Sequence, residues 1–175
     1  KYPLRGLSLF SAVSASAQSP GDPAISLNGT SEIRIGVPVA QVIREYSLEA
    51  LSTGSEGEDT SACGTTSYSY PPLDVQILAV DRRIVRLPIE AHYDNIPEIS
   101  YRTPEGIRLG STISEIRRVF PNAEETVEPN GGRTQIFAWR QIDRSGYLFE
   151  ISPQTRRVVA LAVGDRSLRW YEDCL

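Results

Sequence analysis

The chain has 175 residues, of which 40% are hydrophobic and 23% charged, and carries a net charge of −4 with a pI of about 5.1. That length suits one medium domain or two small ones. Mild acidity lacks the basic footprint of nucleic-acid binding, and no apolar run is long enough for a transmembrane helix.

At the start, Lys1 and Arg5 precede a modestly apolar stretch from Leu7 to Ala17 that closes with Ala15-Ser16-Ala17. Positive, then apolar, then small is the order in which a secretory signal ends. Residues 1–30 are therefore read as a signal-like or flexible segment, and the expected location is secreted or periplasmic. The competing reading is a tail or a first element of the fold.

The stretch "IRIGVPVAQVIREY", Ile33 to Tyr46, predicts a helix. Pro38 suits its first turn, and Val39, Val42, Ile43 and Tyr46 make one apolar stripe. Then "STGSEGEDTSACGTTS" is polar and glycine-rich, a surface loop. Its Glu56, Glu58 and Asp59 lack the spacing of a calcium loop. Tyr68 and Tyr70 share one face of a strand. "LDVQILAVDRRIVRLPI" reads as two strands around a turn, with Arg82 and Arg83 as solvated charges of the hairpin. Residues 92–104 connect two halves, and His92, the only histidine, lies there.

"IRLGSTISEIRRVF", Ile107 to Phe120, predicts a second helix. Thr112 and Glu115 have the T-x-x-E spacing of a capping box, and Pro121 ends the helix. "EETVE", "RTQIFAWR", "GYLFEIS" and "VVALAV" follow as strands separated by turn sequences.

The two helix sequences differ by a fixed offset. Ile33 and Ile107, Arg34 and Arg108, Gly36 and Gly110, and Arg44 and Arg118 are all 74 apart. The same offset sets Arg82-Arg83-Ile84-Val85 on Arg156-Arg157-Val158-Val159. Two blocks in one register point to an internal repeat. The expected fold is α+β: two tandem repeats, each a short helix followed by three to four antiparallel strands, with the helices on one sheet face. The units are residues 31–91 and 105–175. The helix argument leaves Arg34 and Arg108 unexplained.

Cys63 and Cys174 have no C-x-x-C spacing, which argues against a redox or zinc motif. In an exported chain their simplest fate is a mutual disulfide; the alternative is two free thiols.

"GIRLGSTISEIRRVFP", followed by strands ending in "FEISPQTRRVVALAVG", resembles the helix-then-sheet repeat of the β-lactamase inhibitory protein superfamily, which also includes small outer-membrane assembly lipoproteins. The resemblance covers about residues 31–164. It implies an exported bacterial protein of tandem units. The inhibitor's repeats each hold a disulfide, whereas here the two cysteines lie far apart.

Catalytic chemistry has little purchase on this sequence. His92 with Asp94 and a serine could in principle form a hydrolytic site, but no nucleophile elbow is present. No metal-ligand spacing or phosphate loop occurs, so no metal or cofactor is expected. Glu124-Glu125 and Glu172-Asp173 are adjacent, which on a strand sends their carboxylates to opposite faces. Aromatic residues remain: Tyr68, Tyr70, Trp139 and Tyr147 are the expected binding residues, as anchors on an open sheet face. The expected function is a non-catalytic protein-binding module, inhibitor-like or assisting envelope assembly, with another protein as partner. A hydrolase with His92 as general base, and a structural or small-ligand domain, are the alternatives.

Overall fold

A computed structural model of the chain describes residues 23–46, 49–50, 65–70, 75–91, 101–127, 132–141 and 144–169. The elements run α1 (Val39–Tyr46), β1 (Glu49–Ala50), β2 (Thr65–Tyr70), β3 (Val75–Val80), β4 (Arg83–Glu90), α2 (Ile113–Val119), β5 (Glu124–Val127), β6 (Thr134–Gln141), β7 (Ser145–Ile151), β8 (Val158–Gly164) and a 3-10 helix (Arg166–Arg169). All eight strands join one sheet in the order β1-β2-β3-β4-β8-β7-β6-β5. Every pairing is antiparallel. The α+β class agrees with the sequence pattern.

Both helices begin as their sequences dictate. At α2, Thr112 Oγ1 accepts from the Glu115 N–H at 3.3 Å, while Glu115 Oε2 accepts from the Thr112 N–H at 2.7 Å. Two N–H groups that lack helical partners are thereby satisfied. At α1, Pro38 stands in the corresponding place. Val39 and Val42 of α1 and Ile116 of α2 are buried in one cluster with the strands. Ile43 is not: at the margin of the stripe, it is 36% exposed.

The turn before each helix is tied to the sheet in the same way. Gly36 and Gly110 have φ of 84° and 83°, a region that favours glycine. The Gly36 N–H donates to the Ile84 carbonyl at 2.7 Å, and the Gly110 N–H to the Val158 carbonyl at 2.8 Å. Arg83 Nη1 donates to the Gly36 carbonyl at 2.8 Å, and Arg157 Nη1 to the Gly110 carbonyl at 2.7 Å. Arg83 is therefore more than a solvated hairpin charge: its guanidinium reaches back across the strand start to the helix turn. Arg82 occupies the exposed turn position instead, with φ of 62°. Arg34 and Arg108 sit in short backbone bridges, Gly29↔Arg34 and Arg102↔Arg108, with exposed side chains.

The register sorts the sheet into two faces, because residues directly paired across strands share a face. One row reads Ile89–Leu161–Phe149–Ile136. All four are buried in the main cluster, against the helices. The next row, Pro88–Ala162–Leu148–Phe137–Glu124, points the other way. Residues 23–25 also belong to the fold: the Ile25 N–H donates to the Arg102 carbonyl at 2.9 Å, and Ile25 is fully buried.

Candidate interaction face

The sheet face away from the helices carries a second, smaller apolar cluster of Phe137, Leu148, Ala162 and Leu168, with Trp139 packed against it. Phe137 and Trp139 are two apart on β6, so strand geometry sends both to this face. Their rings stack at 6.0 Å between centroids with 4° between planes. Trp139 is paired across the ladder with Gly146. The missing side chain makes room for the indole: a Cβ on Gly146 would lie 2.7 Å from Trp139 Cε3. A strand glycine here marks a close approach.

Part of this face is covered by the 3-10 helix. Asp165 Oδ1 accepts from the Ser167 N–H at 2.9 Å, which caps the turn. Ser167 Oγ donates to the Val85 carbonyl at 3.3 Å, and Arg86 Nη1 donates to the Ser167 carbonyl at 3.3 Å. Leu168 enters the small cluster. The Arg169 guanidinium sits 5.1 Å from the centroids of both the Phe137 and the Trp139 rings. The same group pairs with Glu124 Oε2 of β5 at 2.5 Å. Trp139 Nε1 is buried without a hydrogen-bond acceptor.

Charges border the cluster. Glu90 and Glu150 both pair with Ala160 across the ladder, which puts them on this face either side of a small residue. Arg133 bonds Glu150 at 2.8 Å. Burial, and then the neighbouring Glu150 charge, push the Glu90 carboxyl above its usual value.

The expected binding residues are not brought together. Trp139 is on this face, partly buried. Tyr147 is on the opposite face, in the main core at 1% exposure, with its ring 5.9 Å from Phe120. Burial, and then the Glu105 charge, raise its phenol far above the usual value. Tyr68 and Tyr70 lie in β2, where their backbones pair with Ile77 and Val75, strands away from Trp139. His92, Cys63 and Cys174 lie outside the described residues. Among the described residues the exposed large hydrophobic side chains are Ile43 and Val127. Leu168 and Arg169 were missed by sequence reasoning. Their signal was an apolar residue beside a cation, with an acidic cap at Asp165.

Among the described residues, no three His, Cys, Asp or Glu side chains gather as a metal site, and no helix is long and apolar enough to cross a membrane.

No protein-family model matches the chain, and no curated protein matches it. Solved structures similar in part include the following two. One is an extracellular protein containing an SCP domain from Bacillus anthracis, at 11% identity and a TM-score of 0.44, covering 90% of this chain and 50% of that one. The other is a cysteine-rich secretory protein from Staphylococcus aureus, at 8% identity and a TM-score of 0.41, covering 81% and 48%. The chain spans about half the length of each. The resemblance to the β-lactamase inhibitory protein superfamily is corrected by this result: these two similar structures are an SCP-domain protein and a cysteine-rich secretory protein, not members of that superfamily. A helix followed by antiparallel strands is a pattern too general to assign that superfamily.

Proposed function

We propose that the chain is an exported, non-catalytic protein-binding module that works through the sheet face away from its helices. The observation that carries this reading is the stacked Phe137–Trp139 pair, with Glu124 opposite Phe137 in the ladder and the Arg133–Glu150 ion pair further along the same face. Large rings bordered by charges are the composition of a binding hot spot. Export rests on the order of residues 1–17. We also propose a tandem duplication, with units 31–91 and 105–175. Its support is the matched pair of arginine–glycine ties and the central meeting of β4 with β8.

A photo-crosslinking residue placed at Thr126, exposed on β5 in the outer-face row, tests the binding reading against one at Ser114, exposed on α2. In envelope fractions and medium from the host, discrete adducts are expected from position 126 and not from 114. Equal labelling from both positions, or none from either, counts against this face.

A further inference from the structure

We infer that Phe137, Trp139 and Glu124 form a guanidinium seat, filled in the free protein by the chain's own Arg169 and open to an arginine of a protein partner. The inference rests on the protein-binding reading above and names the chemistry of its contact.

The occupant is argued from what already sits there. A guanidinium is planar, so it can lie against aromatic rings and pair edge-on with a carboxylate at the same time. Arg169 does both: it is 5.1 Å from two stacked ring centroids and 2.5 Å from Glu124 Oε2. A lysine ammonium would meet the carboxylate but lacks the flat surface. The seat is built rather than fortuitous, since Gly146 leaves the space in which the indole lies. Two observations mark the occupant as replaceable. The Arg169–Glu124 pair is exposed, at 41% and 48% of its side chains, and exposed pairs hold weakly. Among the described residues, the segment that carries Arg169 is tied down by Leu168 and by long hydrogen bonds of 3.3 Å from Asp165, Ser167 and Arg86. In addition, Trp139 Nε1 is buried without an acceptor, a donor that a partner's backbone carbonyl would satisfy.

The test uses the full chain with Trp170→Phe, which leaves Trp139 as the only indole. Its Nε1–H signal is followed by NMR during titration with N-acetyl-arginine amide or N-acetyl-lysine amide. Adding Arg169→Ala is expected to tighten the arginine compound at least fivefold over the parent. The lysine compound is expected to bind more weakly, and Glu124→Gln on the Arg169→Ala background to weaken arginine at least threefold. Arg169→Lys, which keeps the stem and charge, replaces Arg169→Ala if the latter does not give a folded spectrum, with the same direction expected. Equal affinity in the vacated and parent proteins, or no effect of Glu124→Gln, overturns the seat. Adducts from position 126 without arginine binding would remove the seat and leave the binding face standing. Arginine binding without adducts would do the reverse.

Discussion

A single hydrogen atom at Gly146 decides where the largest ring of the outer face can lie. The indole of Trp139 occupies the space that any other side chain would need. Gly146→Ala is therefore expected to cost about 1–3 kcal/mol, the range for overpacking a tight site. In a Trp170→Phe background it should also move the Trp139 emission. Urea unfolding and fluorescence together check this; an unchanged spectrum with unchanged stability would show that the indole does not rest there. Sequence reading singled out Trp139 but gave no hint of Gly146, because the pairing of the two depends on strand register. Tyr147 shows the opposite limit. Strand alternation sets it on one face with Phe149 and Ile151, and all three are buried together. Alternation alone cannot say which of two faces meets the helices.

Among elements, α2 carries the clearest local instructions. Its capping box was legible from Thr112 and Glu115 alone, because the spacing is set within one helical turn. Hydrogen bonds from the Thr112 backbone and side chain hold the Glu115 carboxyl below its usual value of 4.5. The carboxylate's contribution is thus fully present above that value and is lost as pH falls through the lower folded value. Glu115→Ala is expected to lower stability by about 0.3–1 kcal/mol at pH 7, and by less at pH 3. Chemical unfolding at both pH values checks it, and an equal loss at both would mean that the charge plays no part. The arginine–glycine ties were only half legible. The offset of 74 marked Arg83 with Arg157 and Gly36 with Gly110, yet nothing in the sequence said that the two sets touch. Those contacts span 47 residues, beyond the reach of any turn or helix rule.

At the scale of the whole molecule, one sheet joins both halves. Leu161 is fully buried and pairs with Ile89 on one side and Phe149 on the other, so it stitches β8 to both neighbours. Leu161→Ala is expected to cost about 2–5 kcal/mol and to lower a single unfolding transition. Calorimetry distinguishes this from the alternative, in which two separate transitions appear and only one moves. The two helices and strands β2 to β8 followed in order from periodicity and turn residues, whereas β1 and the 3-10 helix did not. The joining of β4 to β8 did not, because a strand as uniformly apolar as β8 can pair with many others, and the pattern favours none.

The central place of β8 has a consequence for the time course of synthesis. The strand that completes the middle of the sheet is the last of the eight to be made. Until residues 158–164 emerge, β4 lacks its second neighbour, and Leu87 and Ile89 have no strand to cover that side. Hairpins β3–β4 and β6–β7 can form early from near neighbours, but the pairing of Glu90 with Ala160 must wait for a closure of about 70 residues, which is slow relative to local contacts. A growing chain therefore carries an unfinished edge while about 70 further residues are made, the stage at which a holding chaperone would find it.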